Sequence, residues 1–335
     1  MAYIYKKNVK GKEYYYLRVS KRVKGKVVVK DVAYLGGDVS KILDNLDKLP
    51  DIHKNEIRKA YRNIKKYVGS EYYLKKVQKL KLKSDNYLDK KLLDEVEAIK
   101  LHFRERFLKL DDLSRKEIYK NFLIDFAFNT TSLEGNTITL EETERLLEEN
   151  KTPKDKTLRE IYDLQNTEKV FFKLLEENKK ISHSFIINIH DILLENIDRR
   201  KGYRARDIRV FKSNFKTSPG EYVQTDMNLL LEWYEKNKKK LHPFVIAALF
   251  HQKFEIIHPF FDGNGRTGRM IMNYMLIKEN YPPLIVQKKF REDYLFAMNQ
   301  GNKAGINELN PKYYRDIVQF LADEIIVGYW NNFLV

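Results

Sequence analysis

Apolar positions along the chain change period several times, and each change predicts an element. Near the N-terminus, Tyr3 to Asn8, Glu13 to Lys21 and Lys26 to Leu35 are rich in Tyr and Val. The stretches between them, Val9-Lys-Gly-Lys12 and Val23-Lys-Gly-Lys26, are turn signals, so three short antiparallel strands are expected. Residues 39 to 82 then read as helical segments broken near Pro50 and Gly69, and a long helix is expected from about Asp85 to Leu110. A helix end closing on Gly135, with Thr130 and Glu134 on one face, is also read, while residues 202 to 223 alternate around Ile208 and Val210 as a hairpin would. Residues 243 to 257 carry apolar side chains at helical spacing. Pro259 must end that helix, because the residue before a proline is pushed out of the helical region, and Arg266 to Ile277 restarts as an apolar helix. The reading is a mainly α chain preceded by a small α+β module with three antiparallel strands.

Charge sharpens this division. The 335-residue chain has a net charge of +16, yet residues 1 to 84 hold 23 Lys and Arg against 8 Asp and Glu, while the remainder holds 40 against 39. A lysine-rich stretch at 75–84 looks like the join, which gives a basic module at 1–84 and a larger domain at 85–335. Such segregation marks a module with an anionic partner, and nucleic-acid affinity rests first on neutralised phosphates. The alternative is a solvated, lysine-rich face on a Lys- and Glu-heavy chain of the kind found in heat-adapted proteins. There are no cysteines, so disulfides, thiol nucleophiles and thiolate metal sites are excluded. The first residues lack the apolar core of a signal peptide and no run approaches a membrane span, so a cytoplasmic protein without a membrane partner is expected.

The densest chemistry lies at 258–269, His-Pro-Phe-Phe-Asp-Gly-Asn-Gly-Arg-Thr-Gly-Arg. Gly263 and Gly265 permit close backbone approach at the start of a helix, where unpaired N–H groups and the helix dipole attract anions. Arg266 and Arg269 stand three apart on the first turn of that helix, where two guanidinium groups can hold different phosphates of one polyphosphate. Asp262 would repel such a ligand unless a cation lies between them, and Mg²⁺ takes one or two carboxylates plus phosphate oxygens. The expected ligand is therefore a Mg-nucleotide, with His258 as a general base near neutral pH.

These residues resemble the Fic family motif, His-x-Phe-x-(Asp/Glu)-Gly-Asn-Gly-Arg-x-x-Arg, at every fixed position. The resemblance implies a helical core that transfers AMP from Mg-ATP to a Ser, Thr or Tyr hydroxyl of a target protein, itself included. It implies that His258 deprotonates the target, that Asp262 holds Mg²⁺, and that Phe260 is buried packing. Nucleotide contacts would come from Gly263, Asn264, Gly265, Arg266, Thr267, Gly268 and Arg269, with Arg266 at the β-phosphate and Arg269 at the γ-phosphate. Relatives that act as kinases carry Lys where this chain has Gly265, which favours nucleotidyl transfer. Fic domains also often pair, so a homodimer is a further expectation.

Residues 130–135, Thr-Thr-Ser-Leu-Glu-Gly, are similar to the family's inhibitory motif, (Ser/Thr)-x-x-x-Glu-(Gly/Asn). Thr130 and Glu134 would then be regulatory, with Glu134 pairing to Arg269 in place of the γ-phosphate; in some relatives this glutamate supports AMP removal instead. The 202–223 hairpin would be the flap that seats the target segment by strand pairing, with Val210, Phe211, Lys212 and Ser213 nearest the site. Tyr294 and Asn302 resemble the adenine-side segment, although Leu295 stands where many relatives have a second tyrosine. His251, Glu255 and His258 lack zinc-ligand spacing, and His53, His102, His183, His190 and His242 read as surface or packing residues. The N-terminal strands resemble the leader of some transposases. Two function classes stay open: an autoinhibited adenylyltransferase carrying a DNA-binding module, and a DNA-binding regulator that uses the Fic site as a nucleotide sensor. UMP transfer and AMP removal use the same phosphate cradle and stay open beside them.

Overall fold

The computed structural model describes residues 1–208 and 217–334. Three antiparallel strands come first, β1 (Ala2–Val9), β2 (Lys12–Val23) and β3 (Lys26–Gly36), in the order β1-β2-β3. Both hairpin turns hold their central residues in the left-handed region, Lys10 and Gly11 at φ 51° and 78°, Lys24 and Gly25 at 49° and 78°. That is the primed turn geometry that matches strand twist, and Gly at the second position makes it accessible. Register pairs Ile4 with Leu17 and Ala2 with Val19. These side chains and Tyr15 form the sheet's inner face.

Helix α1 (Ile42–Asp47) and the 28-residue α2 (Asp51–Gln78) cover that face. Ile57, Ala60, Ile64 and Val68 of α2 join Ile4, Tyr15, Leu17 and Leu35 in one apolar cluster, whereas Tyr73 and Val77 belong to a second, much larger one. The interior thus divides within a single continuous helix. Gly69 does not break it, contrary to the sequence expectation. Its role is close approach, since a Cβ there would come to 3.2 Å from the Trp330 ring.

The larger cluster is built by α3 (Lys90–Glu105), α4 (Asp112–Leu133), α5 (Leu140–Glu149), α6 (Leu158–Glu176), α7 (His183–Leu193), α8 (Val223–Asn237), α9 (Pro243–Ile257), α10 (Asn264–Lys278), α11 (Arg291–Gln300) and α12 (Arg315–Asn332). Helix α3 is shorter than the expected Asp85–Leu110 because Asp89 caps its start by accepting from Leu92 N, and a 3₁₀ turn at Phe107–Lys109 follows its end. Helix α4 begins at Asp112 under an Asp111 cap and ends with Glu134 as its C-cap. Helices α9 and α10 pack together at the centre and are buried almost all round, so neither shows the one-sided pattern of a surface helix.

The expected hairpin at 202–223 is not seen as strands in its described parts: 202–208 and 217–219 are irregular and Gly220–Tyr222 is a 3₁₀ turn. Val210, Phe211, Lys212 and Ser213 lie outside the described residues. Among the described residues no helix is long and apolar enough to cross a membrane.

Leu17 is fully buried under α2 in the smaller cluster. Leu17→Ala should cost roughly 2 to 5 kcal/mol through lost burial and the cavity left behind. Amide hydrogen exchange should accelerate across β1–β3 while the α9–α10 amides keep their protection; equal acceleration of both would mean that the two clusters open as one unit.

Candidate active site

The end of α9 and the start of α10 are joined by a short turn whose backbone is heavily constrained. His258, the C-cap of α9, sits in the left-handed region at φ 52°, ψ 62°, with its N–H donating to Phe254 O at 2.9 Å. A non-glycine residue there is strained and persists only when its surroundings over-determine it. The over-determining group is Arg204, at 2% exposure. Its guanidinium donates to His258 O at 2.8 Å, Ile257 O at 3.2 Å, Arg206 O at 2.8 Å and Ser218 O at 2.6 Å, and its backbone N–H donates to Pro259 O at 2.9 Å. One buried side chain therefore ties the strained turn to both ends of the segment that contains residues 209–216.

The rest of the turn closes on itself. Asn264 exchanges two hydrogen bonds with the Phe260 backbone, accepting from Phe260 N at 2.8 Å and donating to Phe260 O at 2.9 Å. Phe260 is fully buried and stacks on His190, centroids 3.6 Å apart, while His190 Nε2 donates to Asp262 O at 3.1 Å. Gly263 begins α10 at φ 72°, where a Cβ would strike Leu194. His258 Nδ1 lies 3.3 Å from Glu255 O, which fixes the proton on Nδ1 and puts the ring's lone pair on Nε2. Burial lowers this imidazole below its ordinary 6.5, outweighing the Glu255 carbonyl and nearby carboxylates, so His258 is neutral at pH 7.

The first turn of α10 lies beside Glu134. A Cβ on Gly265 would overlap the Glu134 carboxylate, so that carboxylate lies directly against the helix N-terminus. Arg269 completes its surroundings: Nη2 donates to Glu134 Oε1 at 2.8 Å and to Thr130 O at 2.9 Å, and Nε donates to Thr130 Oγ1 at 2.7 Å. Thr130 and Glu134 reach one guanidinium because residues four apart share a helix face. Burial on its own would raise the Glu134 carboxyl, but Arg269 above all, with Arg266, holds it below its ordinary range.

The other charges are also paired. Arg266, 2% exposed, is bonded to the Asp163 carboxylate of α6. Asp262 pairs with Arg159, also of α6, and stands 4.0 Å from Arg266. Burial would raise Asp262, but Arg159 and Arg266 hold it ionised. Below this layer, Glu255 and His251 face Gly268, where a Cβ would come within 2.8 Å of each. His251 Nε2 shares a hydrogen bond with Tyr294 Oη at 2.6 Å, and burial drives the imidazole down to about 3, so it stays neutral.

The fold therefore brings His258, Asp262, Gly263, Gly265, Arg266, Arg269, Thr130 and Glu134 to one place. Asn264 braces the turn, and Thr267 is fully buried. Tyr294 is buried with its hydroxyl on His251, and Asn302 donates to Asn299 Oδ1 at 2.8 Å within its own turn. The sequence reading did not place Arg204, Asp163 or Arg159 at the site, and it weighed Glu255 only as a zinc ligand. Nothing local distinguishes these arginines among the 63 Lys and Arg of the chain. Asp163 and Glu255 lie on helix faces that composition alone marks as polar interruptions, and such interruptions in buried helices are the usable signal.

Residues 180–276 match the Fic/DOC family profile. The chain belongs to this family. It is similar to the protein adenylyltransferase Fic of Nematostella vectensis, 31% identical over 242 residues that span 70% of this chain and 54% of that protein. It is also similar to protein adenylyltransferase fic-1 of Caenorhabditis elegans, 26% identical over 230 residues, 67% of this chain and 44% of that one. The chain thus spans about half the length of the curated relatives it matches. Among solved structures, a Fic domain-containing signaling protein from Bacteroides thetaiotaomicron aligns at TM-score 0.63 and 25% identity, over 70% of this chain and 94% of that one. A fragment of C. elegans Fic-1 aligns at TM-score 0.60 and 20% identity, over 88% and 92%.

The Fic core of this chain holds one acid that should be protonated. Burial, with the Glu134 charge beside it, pushes the Glu255 carboxyl up to about 8. The folded chain then keeps a proton that the unfolded chain releases near the ordinary 4.5. This group's cost to stability is absent below 4.5, grows as pH rises, and levels off above about 8, where the folded carboxyl ionises too. Glu255→Gln should remove that slope, so its stability relative to the parent rises between pH 4.5 and 8 in denaturant unfolding. A difference that does not change with pH would mean that Glu255 is ionised in the fold.

Proposed function

We propose that this Fic protein is an autoinhibited adenylyltransferase, transferring AMP from Mg-ATP to a Ser, Thr or Tyr hydroxyl of a target protein. The observation that carries this reading is the Glu134 carboxylate seated on Arg269 and against the α10 N-terminus, the place where a nucleotide's terminal phosphate would go. An acid held there by a buried arginine marks the pocket as an anion site and, at the same time, blocks it. Curated relatives named protein adenylyltransferase support the reaction class.

The chain's own groups fit each role. Nε2 of neutral His258 takes the proton of the target hydroxyl as its oxygen bonds to the α-phosphorus. The bond from that phosphorus to the α–β bridging oxygen breaks, and pyrophosphate leaves. N–H groups of Gly263, Asn264 and Gly265 would face the phosphate oxygens. Arg266 and Arg269 would draw the β- and γ-phosphates, Arg269 after Glu134 withdraws. Asp262, ionised and 31% exposed at its side chain, is the carboxylate that would hold Mg²⁺, alone among protein acids and with phosphate oxygens completing the shell. That ion would neutralise charge gathering on the departing pyrophosphate, and Arg159 must release Asp262 for it. Glycine at 265, where the kinase-type relatives carry lysine, supports nucleotidyl rather than phosphoryl transfer.

Residues 1–84 supply a second part of the reading. Their 23 Lys and Arg against 8 Asp and Glu support DNA as a partner of this module. Under the alternative, a DNA-binding regulator with a nucleotide-sensing Fic site, a His258→Ala chain would bind ATP and still act at DNA.

Two measurements test the enzyme. In Glu134→Gly, with Mg²⁺ and ATP labelled at the α- or γ-position, α-label should enter protein roughly ten to a hundred times faster than in the parent, reflecting loss of one charge-assisted pair. Silence equal to the parent would remove Glu134 as brake, and label from the γ-position would establish phosphoryl transfer. In the same background, Arg204→Lys should lower kcat by about a hundredfold while KM for ATP moves little, because a base misplaced by about 1 Å loses that much. A change confined to KM would show that Arg204 does not position His258.

A further inference from the structure

The β2–β3 hairpin extends well beyond the surface it helps to bury. Val19 pairs with Lys30, Ser20 with Val29, Lys21 with Val28, Arg22 with Val27 and Val23 with Lys26. Val19 is the last β2 residue covered by the module's interior, and every residue from Lys21 to Asp31 is exposed. The outer half is therefore a two-stranded ribbon with water on both faces. Val23, Val27, Val28 and Val29 are 46 to 67% exposed on it, an apolar surface that folding of this chain leaves uncovered.

Charge says what would cover it. The ribbon carries Lys21, Arg22, Lys24, Lys26 and Lys30, and its single acid, Asp31, is neutralised by Arg18 at 2.5 Å. Lys21 pairs with Glu56 of α2 at 3.1 Å, which turns that face of the ribbon toward the module body. Ser20, Arg22, Val27 and Val29 share the opposite face, continuous with the outer face of the sheet, where Tyr5 is cross-strand from Tyr16, Tyr16 from Tyr34, and Arg18 lies 3.4 Å over the Tyr5 ring.

We propose that this ribbon enters the major groove of duplex DNA. The proposal rests on the DNA reading of residues 1–84 given above and narrows it to one element and one face. A B-form major groove, about 12 Å wide and 8.5 Å deep, admits a two-stranded ribbon. From Val19 to Lys24 the strand advances about 16 Å at roughly 3.3 Å per residue, enough to reach the groove floor. The outward row has the chemistry of base edges: Arg22 for guanine O6 and N7, Ser20 for either donor or acceptor, Val27 and Val29 for thymine methyl groups. Lys24, Lys26 and Lys30 lie at the tip and flanks, where phosphates line the groove. Duplex RNA is disfavoured, because its major groove is too narrow and deep for side chains to read.

The test is binding of the full chain to a fluorescent duplex of about 20 base pairs across a salt titration. The variants are Arg22→Gln/Lys24→Gln/Lys26→Gln and, as a control of equal charge, Lys236→Gln/Lys239→Gln/Lys240→Gln on the Fic core, with circular dichroism confirming that both fold. The ribbon variant should lose at least about tenfold in affinity, and its dependence of log K on log salt should become shallower by roughly 1 to 2, at about 0.9 for each phosphate no longer neutralised. The control should stay near the parent. Equal loss in both variants, or none in the ribbon variant while the parent binds, would overturn the ribbon assignment and leave DNA as a partner of another surface. A parent that ignores duplex DNA, or prefers RNA of the same length, would overturn the DNA reading itself without touching the adenylyltransferase proposal.

Discussion

Arg269 is the constraint around which the Fic core of this chain is arranged. A guanidinium that is 2% exposed must find acceptors inside the protein, and a charged one needs an anion among them. Thr130 supplies two acceptors and Glu134 supplies the anion, both from the C-terminal end of α4. Any phosphate that takes the place of Glu134 would satisfy the same guanidinium, so exchanging one anion for the other need never leave the charge unpaired. Of the two side chains Glu134 is the one that borders solvent, 38% exposed against 3% for Arg269. Glu255 limits the arrangement from below. Two ionised carboxylates beside one arginine would repel, and burial keeps the deeper of them protonated.

The second constraint is backbone. His258 occupies a left-handed conformation that its side chain does not favour, and the carbonyls exposed by that turn need donors. Arg204 supplies them, together with bonds to Arg206 O and Ser218 O on either side of residues 209–216. Gly220 packs against the Arg206 backbone so closely that no Cβ would fit, and its N–H donates to Asp207 Oδ1 at 2.7 Å. The geometry of His258 and that of the described residues on either side of 209–216 are thereby set by the same few hydrogen bonds. A site built this way gains precision from rigid helices.

Sequence alone was a good guide where the physics is local. Both Lys-Gly turns, the three strands, the end of α9 before Pro259 and the restart of α10 follow from turn chemistry and proline sterics acting over a few residues. That Thr130 and Glu134 share a helix face also follows from i,i+4 geometry, whereas what singled them out was resemblance to the family's inhibitory motif. What was not legible depends on distant partners. Gly69 looked like a helix break because a lone glycine in a helix weakens it, yet the approach of Trp330, far away in sequence, uses the missing Cβ. Arg204, Asp163 and Arg159 are ordinary polar residues until the fold places them against His258, Arg266 and Asp262. Tyr294 likewise depends on a distant partner: it is buried with its hydroxyl turned into the core toward His251.

Helix α2 gives the two halves of the chain a common frame. It spans 28 residues, about 42 Å at 1.5 Å per residue, and contributes to both apolar clusters without a break. Near its middle Arg62 donates to Asn331 O at 2.8 Å, and Gly69 meets Trp330, so α12 of the Fic core is fastened along it. A flexible linker between the basic module and the core would let each act independently at a distance set by chain statistics. A continuous helix packed on both sides removes that freedom. If the ribbon holds DNA, the α9–α10 turn stands at a fixed offset from it, and a hydroxyl substrate would have to be presented within that offset, which favours targets that are themselves seated on the same duplex.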